Sequence, residues 1–306
     1  MINDREIFKL LPPKILNYID KTSDFNSIQE VRLRVNKPVI IQKNSGEAIT
    51  EFKASREDIN SVIQRVSGYS IYAFEEDIKQ GFLTFKGGHR IGVCGECVIE
   101  DGRVKTIKNI SSLNIRISKE FPGCADFLLP YISRDKRILN TIIISPPKCG
   151  KTTILRDLTR SISNGRVGLG IKVSLIDERS EIAGCSLGVS QLDVGLRTDV
   201  FDNCTKSEGV MMAIRSMSPE VIVCDEIGTS KDVDSIMMAY NCGVNLICSL
   251  HGDSIKDYTE RVAFNSLISN NIFQVAVLLM NRQKPGEITE IYDLYRQRTL
   301  WRVKDA

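Results

Sequence analysis

The segment Thr141–Leu155, TIIISPPKCGKTTIL, restricts this chain more than any other stretch. Ile142, Ile143 and Ile144 in succession describe a strand buried on both faces, as in a parallel sheet. Two prolines then impose a turn, and Ile154, Leu155 and Leu158 recur at helical spacing. Strand, tight turn and helix in that order gather backbone N–H groups at a helix N-terminus, where an anion is favoured. The spacing follows G-x-x-x-x-G-K-[ST] with Ser145 in place of the first glycine. Gly150 stands where the backbone must approach phosphate, Lys151 is placed to reach the β- and γ-phosphates, and the Thr152 hydroxyl suits Mg2+.

A second element supports the first. Pro219–Gly228, PEVIVCDEIG, gives an apolar run from Val221 to Cys224 followed by Asp225 and Glu226. These acids are expected at the C-terminal end of a core strand beside the phosphate loop, with Asp225 on the Mg2+ shell and Glu226 polarising an attacking water. Between the two elements, KVSLIDERSEIAG ends a strand in Asp177, Glu178, Arg179 and Glu181, and later VNLICSLHGDS ends one in Ser249, Leu250 and His251. Polar residues massed at such strand ends sit where α/β ligands bind, and His251 is placed to sense a γ-phosphate or hold the water. Arg179, Arg197 and Arg215 are candidates for charge stabilisation, since a guanidinium matches phosphate bidentately.

The remaining features bound the function. With 41 Lys and Arg against 38 Asp and Glu, a net charge of +3 gives no bulk argument for nucleic acid. No apolar stretch approaches the roughly 18 residues that span a bilayer, and Met1–Lys9 lacks a secretory apolar core, so a cytosolic location is expected. Nine cysteines are scattered, with a single C-x-x-C at Cys94 and Cys97; without a second pair or a nearby histidine, reduced and mostly buried thiols are favoured for the nine over a zinc or redox site. His89, beside Gly87-Gly88, reads as a turn residue, and Met211, Met212, Met217, Met237 and Met238 read as helix core.

Two domains are expected. Residues 1–118 carry short helical patterns broken at Pro12-Pro13, alternating strands around Asn36-Lys37-Pro38, a helix over 56–66 and further short strands with Gly-Gly and Asp-Gly turns, an α+β pattern. From Ile138 strands and helices alternate as βαβ units do, so 119–306 is expected to form an α/β domain, with the boundary in Ser118–Cys124.

In this order the motifs resemble those of the secretion and pilus-assembly ATPases of type II and type IV systems: Walker A, an Asp box (DERSEIAG), Walker B and a His box (SLHGDS). SPPKCGKTTILRDLTR, DVGLRTDV, IRSMSPEVIVCDEIG, EVRLRVNKPV and GVCGECV are similar to the stage III sporulation protein AA family of endospore-forming bacteria over nearly the whole chain. The resemblance implies a RecA-like P-loop ATPase domain with ATP and Mg2+ as cofactors. It implies a phosphate loop of Ser145, Pro146, Pro147, Lys148, Cys149, Gly150, Lys151, Thr152 and Thr153, with an Asp box at Asp177, Glu178, Arg179 and Glu181. Metal contacts fall to Thr152 and Asp225, and catalysis to Lys151, Glu226 and His251. Lys148 departs from the family loop, where a glycine is expected, and adds a charge near the phosphates. The resemblance also implies a homo-hexameric ring at the cytoplasmic face of a membrane-embedded channel or assembly complex in the mother cell. An arginine in trans is expected to complete each site, from among Arg32, Arg34, Arg90 and Arg116. A RecA-like nucleic-acid motor and a nucleotide-gated scaffold with little turnover are the alternatives.

Overall fold

Alternation of Val31 and Leu33 with Arg32 and Arg34 turns one side of a strand to the core and the other to solvent, and this pattern organises the N-terminal part of the chain. The computed structural model describes residues 6–22, 24–68, 78–79, 81–166 and 168–303; the first residues of the opening helical pattern, 2–5, lie outside them. Two compact units divide the chain, Met1–Lys119 with Gly184–Gln191, and Glu120–Ala183 with Leu192–Ala306.

The first unit holds β1 (Ile28–Arg34), β2 (Pro38–Lys43), β3 (Gly46–Lys53), β4 (Phe82–Phe85), β5 (His89–Glu100) and β6 (Arg103–Arg116) in one antiparallel sheet ordered β3-β2-β1-β6-β5-β4. Asp101 (φ 51°) and Gly102 (φ 73°) link β5 to β6, both left-handed as a two-residue hairpin turn demands. Helices α1 (Pro13–Thr22) and α2 (Arg56–Val66) contribute Ile15, Ile19, Ile59, Val62 and Ile63 to a core shared with Val31, Leu33, Ile91, Leu113 and Ile115. Ser55 and Asp58 close a capping box that fixes where α2 begins. His89 is buried at the start of β5, where its Nδ1 accepts the Ser118 N–H at 3.1 Å, a strand position rather than the turn expected. Segment 184–191, closed on itself by a small bridge between Ser186 and Val189, joins this unit through a hydrogen bond from Gly87 N–H to Gln191 Oε1 at 3.3 Å.

In the second unit a two-stranded ribbon, β7 (Ser133–Arg134) and β8 (Arg137–Ile138), precedes the main sheet. That sheet contains β9 (Thr141–Ser145), β10 (Val173–Asp177), β11 (Thr198–Asp202), β12 (Val221–Cys224), β13 (Asn245–His251), β14 (Val275–Leu278), β15 (Glu290–Asp293) and β16 (Arg298–Arg302). Their order is β11-β10-β12-β13-β9-β14-β15-β16, parallel through β14 and antiparallel beyond it. Helix α3 (Lys151–Ser163) follows β9, while α4 (Lys206–Ser216) and α5 (Ser230–Asn241) flank β12 in sequence. Val210, Ala213, Val233, Ile236 and Ala239 of α4 and α5 share a core with Ile142, Ile144, Ile222 and Leu246 of the sheet.

The methionines differ from expectation. Met212 and Met217 are exposed and Met211, Met237 and Met238 only half-buried, because the small residues Gly209, Ala213 and Ala239 take the tightest positions of α4 and α5.

Candidate functional site

Every residue of β9 is buried, so the strand carries the following loop to the C-terminal edge of the sheet on a rigid base. Ser145 holds its hydroxyl on the Pro146 carbonyl oxygen at 2.8 Å, and its φ is not positive, so glycine is not required there. Lys148 is left-handed (φ 67°), the conformation that a glycine at this position would adopt freely; a non-glycine residue costs about 1–2 kcal/mol there. Gly150 (φ 89°) caps α3 without a side chain, which leaves the first-turn N–H groups to a ligand. Lys151, Thr152 and Thr153 form that first turn.

Asp225 and Glu226 follow β12, but β12 does not lie beside the phosphate-loop strand as expected: β13 intervenes, paired with both. Sequence order does not fix sheet order, since right-handed crossovers serve either arrangement. The two elements meet through side chains instead. Lys151 Nζ lies 2.9 Å from Glu226 Oε1 and 3.6 Å from Asp225 Oδ1. His251 Nε2 lies 2.7 Å from the same Glu226 oxygen, with its Nδ1 3.3 Å from the Ser145 carbonyl oxygen. Arg179 reaches Glu226 Oε2 at 3.2 Å. Burial works to raise the Glu226 pKa, yet Lys151, His251 and Arg179 outweigh it and hold the carboxyl below its usual range. Glu226 has φ 35°, a left-handed conformation that its neighbours sustain.

The Asp box is arranged differently from a row of ligand-facing acids. Asp177 turns back into its own loop and accepts N–H groups of Glu181 (2.9 Å), Ile182 (3.0 Å) and Ala183 (2.8 Å). Burial raises its pKa to about 6, against the pull of those N–H groups and with the help of Asp202. Glu178 pairs with Lys206, so Arg179 is the residue of this segment brought to Glu226. Arg197 and Arg215 are not brought in: Arg197 donates to the Ser163 carbonyl oxygen at 3.0 Å, and Arg215 is exposed in the last turn of α4. Of the three arginines that the sequence offers for charge stabilisation, Arg179 is thus the one that lies beside Glu226.

Three residues take parts that the sequence did not assign to them. Ser249, two residues before His251, donates to Asp225 Oδ1 at 2.6 Å and accepts the Glu226 N–H at 3.0 Å. Arg156 is buried and donates to the Glu181 and Ile182 carbonyl oxygens, tying α3 to the Asp177 loop; an arginine between Leu155 and Leu158 on the apolar helix was its signal. Lys206, buried at the start of α4, gave no local signal.

The donor set fits Mg2+ bound chiefly through substrate. Among the described residues no cluster of three His, Cys, Asp or Glu side chains could cage a metal, and Mg2+ ordinarily takes one or two carboxylates, water and phosphate oxygens. Asp225 and Thr152 would hold it. Cys94 and Cys97 are exposed on β5, on either side of an irregularity in its pairing with β6.

Comparison with known proteins agrees with this architecture. The family model for sporulation stage III, protein AA matches residues 1–299. Stage III sporulation protein AA of Bacillus subtilis (strain 168) is 42% identical over 291 residues, 94% of each chain. The ATPase DotB of Legionella pneumophila aligns with 88% of this chain and 76% of its own at a TM-score of 0.59 and 13% identity. The pilus retraction motor PilT, solved with bound ADP, aligns with 87% of this chain and 76% of its own at 0.59 and 15%. With a RecA-like P-loop fold, a family model matched over residues 1–299 and 42% identity to a sporulation protein along 94% of its length, the chain belongs to the sporulation stage III, protein AA family.

Proposed function

We propose that this protein is a Mg2+-dependent ATPase of the secretion-motor type, acting as a homo-hexamer in the mother-cell cytoplasm at a membrane channel or assembly complex. One observation carries the reading. Lys151, Asp225, Glu226 and His251 converge at the uncapped N-terminus of α3, which is what nucleotide hydrolysis requires and a passive scaffold does not.

In this reading the α3 amides and Lys151 take the β- and γ-phosphates. Lys151 then leaves Glu226, whose carboxylate is freed to polarise water, while His251 and Arg179 fix its orientation. Mg2+, held by Thr152 and Asp225, would neutralise charge on the phosphates. The sporulation setting is supported by the name of the Bacillus relative, and the motor reading by those of the solved ATPases.

A ring would also use the first unit. Arg32, Arg34, Arg90 and Arg116 share the solvent face of its sheet: Arg90 pairs across strands with Arg116, and Arg116 with Glu30, two residues from Arg32. Four guanidinium groups on one face suit contact with a neighbour's nucleotide.

The test is turnover of the purified full chain with Mg·ATP, measured alone, with DNA and with lipid vesicles. Mg·ATP hydrolysis that DNA does not stimulate is expected. Absence of both binding and hydrolysis overturns the ATPase reading, and strong salt-dependent stimulation by DNA replaces it with a nucleic-acid motor.

A further inference from the structure

Strand β14 lies on the opposite side of β9 from β13 and β12, and the loop that follows it returns onto the phosphate loop. Gly286 N–H donates to the Cys149 carbonyl oxygen at 2.8 Å. A Cβ at Gly150 would lie 2.4 Å from Gly286 N and 3.0 Å from the Pro285 carbonyl carbon, so only glycine permits this approach. The loop is built rather than slack. Asn281 Oδ1 accepts the N–H groups of Gln283 (2.9 Å) and Lys284 (3.1 Å), its amide donates to Glu287, and Glu287 N–H returns to the Lys284 carbonyl oxygen at 3.1 Å.

The strand order gives a bound nucleotide a direction. The groups suited to a terminal phosphate, Lys151 with Asp225 and Glu226 after β12 and His251 at the end of β13, lie to one side of β9. A polyphosphate seated on the α3 amides with its terminal group there leads its other end toward β14. From β12 to β14 is three strand spacings, about 14 Å, a span suited to an extended nucleoside triphosphate.

At that far side the exposed side chains of Arg282 and Gln283 make no polar contact among the described residues, whereas Asn281, Lys284 and Glu287 are engaged within the loop. We infer that the 281–286 loop binds the nucleoside end of the ligand, with the Arg282 guanidinium stacking on the base and the Gln283 carboxamide bonding to its edge or to the ribose. A planar cation and a donor–acceptor amide are the side chains that such a ligand calls for. The inference rests on the nucleotide-site reading above and adds the element that distinguishes a nucleotide from bare polyphosphate.

The experiment compares Mg·ATP and Mg·tripolyphosphate binding by calorimetry in the full chain and in Arg282→Ala/Gln283→Ala, with thermal unfolding as the control for folding. The expected result is a loss of about tenfold or more in ATP affinity with tripolyphosphate affinity unchanged. Unchanged ATP affinity overturns the inference. An equal loss for both ligands also overturns it, because the loop then only supports the phosphate loop. If the unaltered chain binds neither ligand, the nucleotide site itself is refuted; binding of both by the unaltered chain leaves that site standing whatever the variant does.

Discussion

The Ser249 hydroxyl bridges the two acids that follow β12, donating to Asp225 at 2.6 Å and accepting the Glu226 N–H at 3.0 Å. Because Ser249 lies on β13, the strand between β12 and β9, it sets the acids relative to the phosphate loop. Ser249→Ala removes a buried hydrogen bond to a carboxylate and should cost about 1.5–3 kcal/mol of stability. Turnover should fall roughly tenfold as Asp225 loses its orientation. Denaturant unfolding and steady-state turnover check both, and wild-type values for the two would show that the bridge is dispensable.

Lys151 and Glu226 should separate binding from chemistry. Lys151→Ala is expected to abolish nucleotide binding, since it removes the cation nearest the phosphate positions; affinity within about threefold of the unaltered chain is the contrary result. Glu226→Gln keeps the shape and removes the base, so ATP should still bind while turnover falls by roughly 10² or more. Calorimetry and turnover on the same preparations separate the two effects.

Asp177 makes stability depend on pH in an unusual direction. Its carboxyl titrates at about 6 in the folded chain, above the ordinary value near 3.9 in the unfolded one, so between those values the folded state holds the proton more tightly. The contribution is complete below the unfolded pKa and lost as pH rises through about 6. Relative to Asp177→Asn, the unaltered chain should therefore gain roughly 2–3 kcal/mol between pH 7 and pH 4. Urea unfolding of both across that range is the measurement. A constant difference would return Asp177 to an ordinary titration.

The arginine face of the first unit predicts complementation. Lys151→Ala subunits mixed with subunits carrying an alanine at Arg32, Arg34, Arg90 or Arg116, each inactive alone, should recover part of the ATPase activity. Some interfaces would then pair one intact loop with one intact arginine, and Arg116, closest in sequence to the end of the first unit, is the leading candidate. Failure of all four mixtures despite demonstrated co-assembly would remove action in trans.

Local order was legible wherever a residue's role depends on its neighbours in sequence. Ile142–Ile144, the proline turn, Gly150-Lys151-Thr152 and the helical recurrence of Ile154, Leu155 and Leu158 describe a strand, loop and helix, and those elements are present. Alternation around Val31 and Leu33 likewise separated the core face of β1 from its arginine face. Tertiary structure alone decided which strand ends meet. The insertion of β13 between β12 and β9 gives Ser249 its place, and the return of Gly286 onto Gly150 depends on β14 pairing with β9. Side-chain direction was equally hidden: Asp177 and Arg179 are near neighbours in one charged run, yet backbone N–H groups draw the first into its own loop while the second reaches Glu226. Periodicity and spacing report short-range sterics, whereas pairing across a sheet and the competition for buried carboxylates are settled between segments far apart in the chain.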